Sequence, residues 1–137
     1  MLRESGDALS LLLVEDHPVN QKLIASLLQR WGHQLDIAED GAVGVEKFRS
    51  GRYDMILMDM QMPVMDGLEA TRRIREIERS EQREPTRIVA MTANAMQGDR
   101  ELCLQAGMDD YLSKPIKAPE LMRYLADLAA SRKNKNQ

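Results

Sequence analysis

The chain has 137 residues, 43% of them hydrophobic and 30% charged, and its 19 Lys and Arg against 22 Asp and Glu give a formal net charge of −3. That length fits one domain around one core, and the near balance of charge gives no reason to expect nucleic-acid binding. No apolar run approaches the roughly 20 residues that cross a bilayer, no secretory signal opens the chain, and the single cysteine, Cys103, cannot form an internal disulfide, so a soluble protein of a reducing cytoplasm is expected.

Short apolar runs alternate with longer stretches of helical period. Leu11 to Val14 reads as a buried strand, and Asp16-His17-Pro18 as the start of a helix, because proline suits a first helical position. Val19, Leu23, Leu27 and Trp31, with Ile24 and Leu28 beside them, are expected on its inward face, with Gly32 as its stop. Gln34 to Ala38 alternates, with Leu35 and Ile37 on one side, before Asp40-Gly41 opens a second helix carrying Ala42, Val45 and Phe48. Met55 to Met58 is the third strand, and Asp66 is a good cap for a third helix that turns Ala70, Ile74 and Ile77 inward. Ile88 to Met91 is the fourth strand, a helix from about Asp99 to Ala106 ends at Gly107, and Tyr111-Leu112 begins the fifth strand. From Pro119 onward, Leu121, Leu125 and Leu128 mark a closing helix. Residues 1–10 read as an N-terminal extension, 11–130 as the domain, and Ser131 to Gln137 as a basic, solvated tail.

Apolar strands each followed by a helix indicate an α/β fold, a parallel sheet covered on both faces. For five strands the flavodoxin-like order 2-1-3-4-5 is expected, and such sheets bind ligands beyond the carboxyl ends of their strands, where the order reverses. Strand one ends at Glu15-Asp16, strand three at Asp59, strand four at Thr92, and strand five runs into Ser113-Lys114-Pro115. Three carboxylates therefore converge on one crevice. Two of them about 5 Å apart repel by roughly 3 kcal/mol at an effective dielectric near 20, so either carboxyl pKa values rise or a cation sits among them. Hard oxygen ligands with an open side favour Mg²⁺, with Mn²⁺ as the alternative, and Mg²⁺ held this way commonly shares phosphate oxygens. A carboxylate is a competent phosphoryl acceptor, and Lys114 and Thr92 can donate to the oxygens on which charge collects. Asp59 is thus the expected nucleophile, with Glu15 and Asp16 on the metal.

Taken alone, each residue has a plainer use. Asp16 could cap a helix and Glu15 could be a solvated strand end, whereas Asp59 has no helix nearby to cap. His17 beside Asp16 reads as a solvated turn residue before a metal ligand, His33 carries less weight still, and the ten methionines read as adaptable core filling. Cys103 has no basic neighbour to activate it. A haloacid-dehalogenase-like phosphatase would need an Asp-x-Asp pattern after strand one, which is absent, and no second acid lies two residues beyond Asp59 to support turnover. A flavodoxin-like cofactor binder lacks its phosphate loop after strand one.

The motifs Leu-Val-Glu-Asp-His-Pro-Val-Asn, Met-Asp-Met-Gln-Met-Pro-Val-Met-Asp-Gly, Met-Thr-Ala-Asn-Ala and Tyr-Leu-Ser-Lys-Pro-Ile together resemble the receiver (response regulator) domain of two-component signalling, from Leu11 to about Ala130. The resemblance implies a domain that accepts a phosphoryl group from phosphohistidine without turnover enzyme activity of its own. By it, Asp59 is the phosphoacceptor, Glu15 and Asp16 the metal-side acids, Thr92 the switch hydroxyl, Tyr111 the switch aromatic and Lys114 the phosphate-pairing cation. It also implies that the Gln61 backbone carbonyl completes the metal shell and that Lys114-Pro115 is a cis bond, which X-Pro bonds adopt cheaply. The Glu-Asp pair stands where Asp-Asp is the family's commoner form. The wording is most similar to receivers attached to hybrid sensor histidine kinases, with a free-standing response regulator as the alternative. Its implied partners are a histidine kinase core or a histidine phosphotransfer domain, with no nucleic acid, no direct membrane contact, and a monomer or weak dimer as the oligomeric state.

Overall fold

The computed structural model describes residues 8–135 apart from 63, 94–97 and 99, with only the backbone of 131–135. Its strands are β1 (Ser10–Val14), β2 (Gln34–Ala38), β3 (Met55–Asp59), β4 (Arg87–Thr92) and β5 (Asp110–Ser113). Between and after them run α1 (Pro18–Arg30), α2 (Gly41–Ser50), α3 (Gly67–Ser80), α4 (Arg100–Ala106) and α5 (Ala118–Lys135). All strand pairs are parallel and the order is β2-β1-β3-β4-β5, the expected arrangement. The sheet is sealed on both faces. Leu12, Val14, Ile56, Met58, Ile88 and Ala90 face α2, α3 and α4, while Leu11, Leu13, Met55, Leu57, Val89 and Met91 face α1 and α5.

Local chemistry sets the element ends. Asp40 and Asp66 cap α2 and α3 by accepting the N–H groups of Val43 and Glu69, each at 2.9 Å. Gly107, at φ +108°, terminates α4 in a conformation open to glycine at no steric cost. A Cβ on Gly67 would strike the carbonyl oxygen of Asp59, so only glycine lets α3 start directly beneath the end of β3.

Several sequence expectations shift. In α1 the buried residues are Ile24 and Leu28, with Leu27 and Trp31 packed at the edge, whereas Val19 is 66% and Leu23 48% exposed. The inward row of α1 is Ile24 and Leu28, preceded by the half-buried Asn20 and Gln21, and Val19 and Leu23 lie on the neighbouring row, about 100° or more around the helix, which turns outward. In α2, Gly41 and Gly44 lie against the interior with Val45 and Phe48, and Ala42 is only half-buried. Asp16 caps nothing, since the N-cap position of α1 is His17, which makes no side-chain cap. The backbone of residues 131–135 continues α5 as helix instead of ending in a separate tail. The expected α4 start at Asp99, the motif positions 63 and 94–95, and the extension's residues 1–7 lie outside the described residues.

Candidate functional site

Parallel register does the first work of assembly. β1 and β3 pair Val14 with Met58, so the next residues, Glu15 and Asp59, come side by side beyond the last apolar pair. Burial of four hydrophobic residues in β3 fixes Asp59 at the sheet edge, where the residue is only 3% exposed. Oxygen atoms of Glu15, Asp16 and Asp59 all lie within 4.8 Å of one another. They line a cleft of about 150 Å³ together with Gln61, Thr92 and Lys114.

Lys114 answers part of this negative charge. Its Nζ donates to Asp59 Oδ1 at 2.9 Å and stands 3.5 Å from Glu15 Oε1. Burial works against the lysine's charge, but the hydrogen bond and charge of Asp59, followed by the charge of Glu15, outweigh it and raise its pKa. The lysine reaches the cleft from just beyond β5, where the Lys114–Pro115 peptide is cis and Lys114 N–H donates to the Thr92 carbonyl at 2.8 Å.

The compensation is incomplete. Glu15 is 1% exposed and its Oε1 accepts no hydrogen bond, while Oε2 takes the His17 backbone N–H at 3.0 Å. Burial, and then the nearby Asp59 charge, push the Glu15 pKa up despite that hydrogen bond. An orphaned buried carboxylate oxygen, facing two further acids across an open cleft, is the donor set a hard divalent cation takes. Glu15, Asp16 and Asp59 therefore fit such an ion. His17 serves the cluster through its backbone, not its ring.

Thr92 closes β4 and is 3% exposed. The β4–β5 register pairs Ala90 with Tyr111 and Thr92 with Ser113, which sets Tyr111 on the Thr92 side of the sheet, half-buried against the core under α4. The Arg100 guanidinium lies 5.8 Å from its ring centroid. Gln61 N–H approaches Asp59 Oδ1 at 3.3 Å, at the start of a loop in which Val64 holds a left-handed φ of +69°. For a β-branched residue that conformation is strained, and strain of this kind gathers beside functional groups. Of the expected site residues, Glu15, Asp16, Asp59, Gln61, Thr92 and Lys114 line this cleft, whereas Tyr111 and Pro115 do not. Two others also bear on it: Asn20 on its wall, which closes the quoted motif but was assigned no role, and Gln21 behind it, an amide in the helix's first turn with no distinctive pattern.

An acid-edged, doubly wound sheet with a paired lysine defines a class of phosphoryl-handling domains, and comparison with known proteins narrows it. The family model described as the response regulator receiver domain matches residues 11–126, and the chain belongs to that family. It is 47% identical over 120 residues to hybrid signal transduction histidine kinase B of Dictyostelium discoideum, covering 82% of this chain and 6% of that protein. It is 40% identical over 122 residues to the signal transduction histidine-protein kinase BarA of Escherichia coli K12, covering 89% of this chain and 13% of that protein. The chain thus spans a small part of the curated relatives it matches. Among solved structures, the receiver domain of the sensor histidine kinase PA1611 from Pseudomonas aeruginosa, crystallised with a magnesium ion in its active site cleft, is 48% identical. The likeness has a TM-score of 0.80 and covers 90% of this chain and 98% of that one. The Ssk1 receiver domain of Saccharomyces cerevisiae, crystallised with the histidine phosphotransfer protein Ypd1, gives a TM-score of 0.87 at 30% identity, with 91% of each chain covered.

Proposed function

We propose that this domain accepts a phosphoryl group from phosphohistidine onto Asp59 and works in a phosphorelay as the receiver of a hybrid sensor histidine kinase. The observation that carries the reading is Asp59 itself, buried at a strand end, bonded to Lys114 and crowded by two more acids. A carboxylate oxygen of Asp59 forms the new O–P bond as the donor's P–N bond breaks, and the imidazole leaves with the electron pair and takes up a proton. Lys114 passes from the Asp59 oxygen to an oxygen of the transferred group, where the charge now sits. A divalent cation held by Glu15, Asp16, Asp59 and the Gln61 carbonyl, Mg²⁺ or in its place Mn²⁺, supplies positive charge to the phosphoryl oxygens. Thr92 then turns its hydroxyl toward the new group, and Tyr111 moves into the space it leaves. Such a switch shifts a two-state population by the difference in affinity between its states. The chain's one cysteine is buried Cys103, in keeping with a cytoplasmic setting, and no helix among the described residues is long and apolar enough to cross a membrane.

The donor must bring its histidine within bonding distance of Asp59, so its surface covers the cleft rim. Val19 and Leu23 supply exposed apolar surface on α1 beside the cleft-lining His17 and Asn20. That surface suits a histidine phosphotransfer domain.

With a small acyl phosphodonor and Mg²⁺, the natural chain takes up hydroxylamine-sensitive phosphate and the NMR resonances of Thr92 and Tyr111 move. Asp59→Asn abolishes both effects, as does chelating the metal; phosphate persisting on the Asn variant defeats the assignment. Leu23→Glu slows transfer from a phosphorylated histidine phosphotransfer domain by about tenfold, the equivalent of about 1.4 kcal/mol, and leaves the small donor unaffected. Equal slowing with both donors would remove the docking role.

A further inference from the structure

Asp16 is exposed, and among the described residues no hydrogen bond holds its carboxylate, so the backbone alone aims it into the cleft. That backbone has left the sheet. The β1–β2 ladder pairs Val14 with Ala38, and Glu15 N–H still reaches the Ala38 carbonyl at 3.0 Å, but the Glu15 carbonyl has no strand partner. The Nε2 of Gln21, in the first turn of α1, donates to it at 2.6 Å. Gln21 N–H in turn donates to the His17 carbonyl at 3.0 Å, and His17 N–H to Glu15 Oε2 at the same distance. The turn that carries both metal-side acids is thus tied from its strand end to the first helical turn.

We propose that Gln21 is a positioning residue for the metal-side acids: its amide fixes the Glu15–Asp16 peptide plane and thereby the direction of the Asp16 carboxylate. The proposal rests on the reading of the cleft as a divalent-cation site. A site of this kind has to be held to within about 0.5 Å and 10–20° of its working geometry, and tilting the peptide plane that precedes Asp16 moves its carboxylate by more than that tolerance. Gln21 touches neither metal nor phosphoryl group. Partners that orient metal ligands from outside typically account for about 10- to 100-fold in affinity.

The test is Gln21→Met in the whole chain, which keeps the length and helix preference of the side chain and removes its donor. Gln21→Ala removes the same donor with less bulk and gives the same result. Mg²⁺ alone is titrated, by calorimetry and by the amide resonances of Glu15 and Asp16, and its Kd rises about tenfold. The Mg²⁺ concentration for half-maximal phosphorylation by a small donor rises by the same factor, while the rate at saturating Mg²⁺ stays within about twofold, a split that a merely structural role would not produce. An unchanged Kd overturns the proposal, and so does a lowered saturating rate at an unchanged Mg²⁺ midpoint. If the natural chain binds Mg²⁺ and Gln21→Met weakens it, yet neither chain takes up phosphate, the positioning role stands and the phosphoacceptor reading falls.

Discussion

The two ends of the sheet handle buried charge in opposite ways. At the amino end, Arg75 of α3 donates to Gly107 O at 2.9 Å, to Thr86 O and Glu78 Oε1 at 2.8 Å each, and to Asp109 Oδ2 at 3.0 Å. Glu78, 4% exposed, spends its other oxygen on Thr86 N–H at 2.7 Å, and Asp109 Oδ2 also takes Ile88 N–H at 2.8 Å. Arg75 and Glu78 oppose each other there, and every side-chain nitrogen of Arg75 and both carboxylate oxygens of Glu78 have a partner. At the carboxyl end, three acids face one lysine and the Glu15 Oε1 atom accepts no hydrogen bond. Fully matched buried networks rigidify a fold, whereas an unmatched one costs stability and persists where something outside the chain completes it. Pairing, not burial or charge, separates the structural end from the working end.

The largest expected effect tests the working end. Removing Lys114 takes away the cation that opposes Asp59 before transfer and the phosphoryl oxygens after it. Lys114→Ala lowers the rate of Asp59 phosphorylation by about 10²- to 10³-fold, the scale for losing one charge-stabilising donor. Mg²⁺ binding survives, because the lysine is not among the metal's ligands. Calorimetry showing that the variant no longer binds Mg²⁺ would mean the two kinds of positive charge are not separable here.

The next effect tests the structural end. Arg75→Ala strands Glu78 as an unpaired buried carboxylate and frees the chain entering β5, and it costs about 3 kcal/mol in urea unfolding. Most of that comes from Glu78, since the Asp109 side chain is 46% exposed and screened by water. The pair Arg75→Met with Glu78→Leu costs less than Arg75→Ala alone, because no charge is then left buried. Phosphorylation of the folded fraction stays unchanged in both. A drop in its rate would show that the two ends are coupled.

The elements were legible because apolar runs and the Asp40 and Asp66 caps are local signals, whereas strand order came from the rule for five-stranded doubly wound sheets; given that order, the acids at the strand ends fall in one place. Glu15, Asp59, Thr92 and Lys114 needed nothing more. What periodicity could not supply was the helix's rotational phase. Val19, Leu23 and Leu27 form one i, i+4 row and Ile24 and Leu28 the next, and periodicity alone does not say which of two adjacent apolar rows meets the sheet. The Arg75 hub was equally invisible, since its partners lie 3 to 34 residues away and share no pattern before folding. Gln21 belongs to the same group, as its importance comes only from a carbonyl that the sheet leaves without a partner.

The smallest effect concerns the price of readiness, and its sign follows from Glu15. Burial raises the folded-state pKa of this carboxyl above its ordinary value of 4.5, so at pH values between the two the folded chain holds a proton that the unfolded chain has released. Its ionised form therefore destabilises the metal-free protein at pH values above the folded pKa, and the penalty fades as pH falls toward the unfolded value. Glu15→Gln keeps the shape without the charge. In the absence of metal it raises Tm at pH 7 by roughly 3 °C, about what 1 kcal/mol gives a domain of this size, and the gain shrinks as pH is lowered toward 4.5. Added Mg²⁺ reverses the ranking, because the cation stabilises the natural chain through a ligand that the variant lacks. If Glu15→Gln is instead less stable at pH 7 without metal, the Lys114 contact and the His17 hydrogen bond outweigh burial, and the carboxyl end is matched as fully as the amino end.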